Sequence, residues 1–178
     1  MKIRNLLLSV VILLPLLAWS NTTITEANGS FSGKGFARSH TFPVEARIFT
    51  INVSDPDTSG NRTLAVEVSV NDLHTGNSMR DTHMRMSILD RKKHPMITFD
   101  SRFNLPQLTS GTITLPGKLQ VNGITKDYEL EITLNQSSGK WQAQGGFIIV
   151  PTDFDLPLVG MGPMKLLDKV ELDLNVTF

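Results

Sequence analysis

The sequence predicts an all-β fold, an eight-stranded antiparallel barrel that carries one short helical segment near residues 77–89. Three observations support this class. Apolar and polar residues alternate with a period of two through most of the chain, short polar turns separate the alternating runs, and no stretch has the strand-helix-strand rhythm of a parallel sheet. Because open edges invite pairing with other chains, we expect the sheet to close into an up-and-down barrel.

The first twenty residues are typical of an export signal. Lys2 and Arg4 precede an apolar run from Leu6 to Leu17, and Ala18-Trp19-Ser20 places small residues where signal peptidase cuts. The run is shorter than the ~20 residues that a membrane span needs. We therefore expect cleavage after Ser20 and a soluble, periplasmic mature protein, residues 21–178, with no transmembrane segment.

The mature part begins with two weaker strand candidates, 29–37 and 44–53, followed by a clear one at 64–70. In the clear one, every even position is leucine or valine, and alanine, glutamate and serine occupy the odd positions. Residues 55–61, Asp-Pro-Asp-Thr-Ser-Gly-Asn, have the composition of a hairpin loop. These runs predict the first three strands of the barrel.

The alternation stops at residues 74–84, His-Thr-Gly-Asn-Ser-Met-Arg-Asp-Thr-His-Met. Asn77 is a good helix cap, and Asp81 lies where a negative charge suits the helix dipole and pairs favourably with Arg85 one turn later. The pattern predicts a helix from Ser78 to Leu89.

The same stretch is also a candidate for catalysis or metal binding. Asp81 and His83 are two residues apart, so on a helix they point to different faces and do not form a dyad. The four histidines, His40, His74, His83 and His94, show no metal-ligand spacing, and the chain has no cysteine. Capping and hydrogen bonding of the helix to the barrel are favoured over either function.

Five further strand candidates follow, at 96–104, 113–121, 128–134, 140–150 and 172–178. Asn122-Gly123 lies between two of them and is a strong hairpin signal, because a type I′ turn requires positive φ at both central residues. Residues 135–140 are predicted to form a longer hairpin loop.

One connection is unusually apolar. Residues 158–167, Leu-Val-Gly-Met-Gly-Pro-Met-Lys-Leu-Leu, place leucine and methionine where loops are normally polar. The loop either plugs one end of the barrel or forms the rim of an apolar ligand entrance, and both interpretations stay open.

Charge and cysteine content exclude some partners. Without the signal, the chain has 15 basic and 17 acidic residues, which gives a net charge of −2. This charge argues against nucleic acid or an anionic membrane surface as the main partner. The absence of cysteine excludes disulfides and a lipidated cysteine. The folded chain must therefore be stabilised by its own apolar core.

Three ordered motifs resemble those of the YceI-like family of exported bacterial proteins, which is related to polyisoprenoid-binding proteins. They are Thr-x-Asn-x-x-Arg-Asp-x-His-Met from residue 75, Pro-x-Ile-x-Phe from residue 95, and Gly-x-Leu-x-Val-x-Gly-Ile-Thr-Lys from residue 117. Thr-Asp-Phe-Asp-Leu-Pro at 152–157 and the last alternating run complete a pattern that covers most of residues 63–178. The segment 21–53 matches the family only loosely. Its Ser39-His40 pair resembles the family's His-Ser pair at a shifted position.

The resemblance implies a lipocalin-like barrel over residues 21–178 whose long apolar cavity holds an isoprenoid chain or another amphiphile. It also implies that the Arg-Asp-x-His stretch packs as a helix against the barrel. No cofactor is expected beyond an isoprenoid lipid or quinone as a bound ligand. If the apolar face of each strand points inward, the predicted cavity-lining residues are Phe31, Phe36, Phe49, Phe99, Phe103, Leu119, Leu130, Ile132, Trp141, Phe147, Leu172 and Leu174.

The leading functional hypothesis is a periplasmic carrier of an amphiphilic lipid such as a polyisoprenoid or isoprenoid quinone, without catalysis. A second hypothesis is an interaction or stress-protective protein whose barrel is filled by its own aromatic side chains. A third is an enzyme acting on an isoprenoid-like substrate, which would require His40 or His83 to line the cavity. The ligand and the oligomeric state are not determined by the sequence.

Overall fold

The computed structural model describes residues 21–178, so the predicted signal, residues 1–20, lies outside the described residues. Eleven strands form one antiparallel sheet, with one α-helical segment between the sixth and seventh and four short 3₁₀ turns in other connections. In chain order the strands are β1 (Thr22–Thr25), β2 (Gly29–Ala37), β3 (Thr41–Ala46), β4 (Phe49–Val53), β5 (Asn61–Ser69), β6 (Leu73–His74), β7 (Met96–Asn104), β8 (Gly111–Val121), β9 (Ile124–Ser137), β10 (Lys140–Ile149) and β11 (Leu166–Thr177).

The sheet curls into a half-barrel. Its strand order is β1-β4-β5-β7-β8-β9-β10-β11-β2-β3-β6, so β3 and β4 are consecutive in the chain yet belong to opposite ends of the order. At the break between them, one further backbone hydrogen bond continues the β3–β6 pairing and another continues the β4–β5 pairing. Arg47 N donates to Asp72 O at 2.9 Å, and Ser69 N donates to Ile48 O at 3.4 Å.

The all-β class is confirmed, but the predicted count of eight strands and the closed ladder are wrong. The run 44–53 is two strands, because the chain leaves the ladder at Arg47-Ile48. The other two additions are β1, with only Ile24 buried, and β6, which pairs only His74 and Leu73 with β3. Strands this short contain too few residues to show a period of two.

The turns follow the local sequence closely. Asn122 and Gly123 have φ of 51° and 77°, as the predicted type I′ hairpin requires. Ser138 and Gly139 have φ of 52° and 79°, so β9 and β10 are joined by a two-residue turn that is tighter than the predicted loop.

The predicted helix is present in two parts. Helix α1 (Ser78–His83) begins at Asn77, whose Oδ1 accepts a hydrogen bond from Arg80 N at 3.0 Å, and the predicted cap is confirmed. A π-helical turn, Met84–Ile88, continues it, with Leu89 N donating to Met84 O. Such a turn depends on packing against the sheet and has no signal in the local sequence.

The interior of the half-barrel has two ends. At the closed end, near the 54–60 and 138–139 turns, inward side chains pack against one another; they include Leu64, Phe103, Leu115, Leu134, Trp141, Ala143 and Val176. At the hollow end, near the helical segment and the 150–165 connection, the inward side chains surround a cavity. This difference positions the candidate site.

Candidate functional site

An apolar cavity of about 210 Å³ lies inside the hollow end. Ten of the eleven strands and the loops beside them form its walls, and within residues 21–178 the only polar side chains in the lining are Thr98 and Lys169. The lining contains no carboxylate. An apolar space of this kind favours hydrocarbon over water.

Ten of the twelve predicted residues line this cavity, and whether they bind a ligand stays a prediction. Phe103 and Trp141 do not line it; they are half-buried and pack at the closed end. Alternation identifies the inward face of a strand but not the height of a residue along the barrel. The ten lining residues are Phe31, Phe36, Phe49, Phe99, Leu119, Leu130, Ile132, Phe147, Leu172 and Leu174.

An aromatic cluster connects β2 and β4, which belong to opposite sides of the strand order. The ring centroid of Phe31 on β2 lies 6.2 Å from that of Phe49 on β4 and 5.8 Å from that of Phe147 on β10. Since β2 and β4 are not neighbours in the ladder, side-chain packing closes the wall where backbone hydrogen bonds do not. Inside the cavity, the cluster therefore connects two parts of the sheet that no ladder joins.

The lack of a side chain at Gly35 makes room for another aromatic ring. A Cβ atom at Gly35 would lie 2.3 Å from the ring of Phe42 on the neighbouring strand, so only glycine leaves space for it. The Arg80 guanidinium stacks 4.2 Å from the centroid of the same ring. Phe42, a residue absent from the predicted lining, thereby connects the cavity wall to the helical segment.

The mouth of the cavity lies between the helical segment and residues 156–167, which run from the 150–165 connection into the start of β11. Met84, Ile88 and Leu89 line it from the helical side. Leu158 and Leu166 line it from the connection, whereas Met161 is 87% exposed and points away from the cavity. The apolar loop noted in the sequence therefore contributes one set of side chains to the lining and presents another to solvent.

A buried polar network fixes the helical segment to the sheet. The Asp81 carboxylate accepts hydrogen bonds from Thr75 N at 2.7 Å and from Thr75 Oγ1 at 2.6 Å. Arg85 Nη2 lies 3.8 Å from Asp81 Oδ2, and His74 Nδ1 lies 3.4 Å from it. Arg80 Nε donates to Thr75 Oγ1 at 2.8 Å and completes the network.

The network explains the acidity of Asp81. Burial pushes the pKa of its carboxyl upward, but the hydrogen bonds from Thr75 and the attraction of Arg85 and His74 outweigh burial, so the pKa lies below 3.8. The arginine-aspartate pair of the sequence motif therefore holds the helical segment in place, as its capping interpretation predicted.

None of the four histidines lines the cavity. His83 is exposed on α1, and His40 Nδ1 lies 3.1 Å from Ser39 Oγ at the β2–β3 turn. His94 packs beside the 122–123 turn, where its ring blocks any Cβ at Gly123. Within residues 21–178, no three histidine, cysteine or acidic side chains converge in a metal-ligand arrangement.

Lys169 is the lining residue of greatest chemical interest, and it was not predicted. A register shift between Leu166 and Val170 of β11 brings Lys169 to the cavity. Its Nζ lies 2.6 Å from Glu171 Oε1 and 5.3 Å from the ring centroid of Phe36. No local sequence signal marks this shift, because it depends on how β11 pairs with β2.

The fold and the site together define a class, namely proteins with a curled antiparallel sheet around an apolar cavity. The sequence matches the YceI-like domain over residues 19–178, and the chain belongs to the YceI-like family. No curated protein matches the sequence significantly. The part of the chain that the structure describes has no helix of the length and hydropathy needed to cross a bilayer.

Solved structures share this fold at low identity. BcnA from Burkholderia cenocepacia is 16% identical, with a TM-score of 0.71, and the match covers 87% of this chain and 99% of that one. A polyisoprenoid binding domain from Saccharophagus degradans, implicated in plant cell wall breakdown, is 13% identical, with a TM-score of 0.70 over 89% of this chain and 97% of that one. A Campylobacter jejuni YceI protein is 18% identical, with a TM-score of 0.57, and the match covers 76% of this chain and 82% of that one.

Proposed function

We propose that this protein binds an amphiphilic lipid, such as a polyisoprenoid or isoprenoid quinone, with the apolar tail in the cavity of the hollow end. The single observation that carries the proposal is the composition of the lining, which is apolar except for Thr98 and Lys169. Membership of a family whose structural relatives include a polyisoprenoid binding domain supports the same ligand class.

The dimensions of the cavity limit how much of a tail it takes. A cavity of ~150 Å³ admits a benzene ring, so about 210 Å³ accommodates one end of an isoprenoid chain rather than all of it. Burial of roughly 400 Å² of tail would contribute about 10 kcal/mol, which is comparable to the cost of association. The rest of a long chain would lie along the mouth, where Leu158 and Leu166 extend the apolar surface.

Lys169 is the natural contact for the polar head. Its side chain is half-buried beside Phe36 and forms an ion pair with Glu171. Its ammonium group can also donate a hydrogen bond to a quinone carbonyl or pair with a phosphate. In this arrangement the tail is selected by shape and apolarity, and the head is selected by one cation.

The packed aromatic cluster favours a second candidate, a stress-protective or interaction protein without ligand. Phe31, Phe49 and Phe147 pack together as that hypothesis requires. The cavity that remains beside them favours the carrier. An enzyme is the weakest candidate, because neither His40 nor His83 lines the cavity.

We place this carrier in the periplasm, on the signal-like residues 1–20. Fractionation of a bacterium that produces the full chain tests this. Recovery in the periplasmic fraction with the mass of residues 21–178 supports it, and recovery in the cytoplasm at full mass contradicts it.

Native mass spectrometry followed by organic extraction tests the carrier. The protein, produced from the full chain in a bacterium, should retain a lipid mass or acquire one on incubation with an isoprenoid quinone. A bare protein mass after that incubation would move the ligand-free candidate to the front.

A matched pair of substitutions ties binding to the cavity. Ala46 lines it and Ala143 lies at the closed end, and both are 7% exposed. Ala46→Leu puts three more carbon atoms into the cavity and should reduce quinone binding at least tenfold. Ala143→Leu adds the same atoms elsewhere and should leave binding intact in the folded fraction.

A further inference from the structure

The surface just outside the cavity mouth carries exposed apolar side chains on a well-fixed turn. Met161, Met164 and Leu167 are 87%, 60% and 43% exposed. Gly160 and Gly162, with φ of +94° and +54°, allow the chain to turn on either side of Met161. Large apolar residues held out in solvent at one place mark an interaction surface.

Backbone hydrogen bonds hold this turn against the β2–β3 connection. Arg38 N donates to Lys165 O at 3.0 Å, and Ser39 donates to Pro163 O through both its N and its Oγ, at 3.0 and 2.9 Å. The methionines are therefore displayed by an ordered turn tied to the sheet.

Two cations flank the methionines. Arg38 and Lys165 are exposed, and neither forms an ion pair with any carboxylate within residues 21–178. The two contributing segments, 29–44 and 156–167, contain no acidic residue at all. The net charge of −2 that opposed an anionic membrane partner is thus an average that does not describe this surface.

We propose that this surface, the mouth face (Arg38, Met161, Met164, Lys165 and Leu167), docks on a phospholipid bilayer that contains anionic lipid. Methionine and leucine would enter the boundary of the acyl chains while the two cations meet headgroup phosphates. Three side chains offer too little area for a stable dimer or a specific protein complex, which bury about 1,600 Å².

The mouth face continues into the cavity. Leu158 and Leu166, from the same connection, line the cavity a few residues away from Met161 and Met164. A protein docked by this face would turn the cavity mouth towards the membrane, so that an apolar molecule could pass between bilayer and cavity without crossing water. Docking itself goes beyond lipid binding and does not depend on which cargo is held.

Vesicle flotation tests the proposal with protein produced from the full chain. Vesicles of phosphatidylethanolamine and phosphatidylglycerol should bind it, and vesicles of phosphatidylcholine should bind it more weakly. The double variant Met161→Ser, Met164→Ser should lose at least tenfold in partitioning to both. Its control is Ile48→Ser, Ile148→Ser, which removes two apolar side chains that are 50% and 47% exposed elsewhere.

The charge contribution is measured separately. Arg38→Gln and Lys165→Gln should each weaken binding to the phosphatidylglycerol vesicles about fivefold and leave binding to phosphatidylcholine unchanged. The control variant is Lys140→Gln, which removes an exposed cation beside the 138–139 turn at the closed end.

Three outcomes would overturn docking. They are no flotation of the unaltered protein, unchanged flotation of the methionine double variant, and a fall from dimer to monomer mass in that variant by analytical ultracentrifugation, which would assign the face to a second copy. Because Met161 and Met164 do not line the cavity, uptake of detergent-dispersed quinone should persist in the double variant. An unaltered protein that floats with the vesicles but takes up no quinone would support docking and contradict the proposed cargo.

Discussion

The closed and hollow ends of the half-barrel are built from the same strands but differ in what their inward side chains meet. Leu115 and Leu119 lie on the same face of β8 and are equally hidden from solvent, each 5% exposed. Leu115 packs in a filled core, whereas Leu119 borders the cavity. Solvent exposure alone therefore does not distinguish a core residue from a candidate ligand contact.

Leucine truncation should separate the two ends most strongly. Leu115→Ala should cost about 4 kcal/mol of unfolding free energy, because it opens a new void in a filled core. Leu119→Ala should cost about 2 kcal/mol, because its side chain already lacks neighbours on the cavity side. Urea unfolding of both variants measures the difference, and equal losses would mean that the cavity is filled in solution.

The hollow end depends on a polar network where the closed end depends on apolar packing. Asp81→Asn should cost about 2 to 3 kcal/mol at neutral pH, because the hydrogen bonds from Thr75 lose a charged acceptor. Chemical unfolding of the variant and the unaltered protein at pH 7 measures this cost. A matched control is Asp127→Asn, whose carboxylate is exposed on β9.

The same substitution predicts a pH dependence. Since the folded-state pKa of Asp81 lies below its usual value, its contribution is complete above about pH 5 and is lost as pH falls through the folded pKa, below 3.8. The stability gap between Asp81→Asn and the unaltered protein should therefore narrow below pH 3.8. A gap that is constant down to pH 2 would contradict the assignment.

Added volume should have opposite effects at the two ends. Ala143→Leu overpacks the closed end and should cost about 2 kcal/mol, whereas Ala46→Leu fills part of the cavity and should stabilise by about 1 kcal/mol. Thermal unfolding of the ligand-free proteins tests both signs. Destabilisation by both variants would show that no free space adjoins Ala46.

The smallest predicted effect is at the N-terminus of the helical segment. Asn77→Ala removes the cap on Arg80 N and should cost about 1 kcal/mol, with Asn77→Asp retaining most of the stability. Hydrogen exchange of the α1 amides measures the change, which should be confined to the helical segment and leave the closed end protected.

Local signals accounted for much of the fold. The helix cap at Asn77 and the 122–123 turn were predicted correctly because each depends on a few neighbouring residues. The π-helical turn, the break at Arg47-Ile48 and the bulge that carries Lys169 were not, because each follows from how distant strands meet.

The sequence by itself determined the all-β class, the inward face of each long strand and the family, since periodicity and ordered motifs are properties of the chain alone. Only the tertiary structure decided which inward residues pack and which enclose a cavity. Phe103 and Trp141 alternate as correctly as Phe99 and Phe147, yet lie at the filled end. The physical reason is that alternation records one dimension, the face of a strand, whereas a cavity depends on strand stagger and on which side chains meet across the curled sheet.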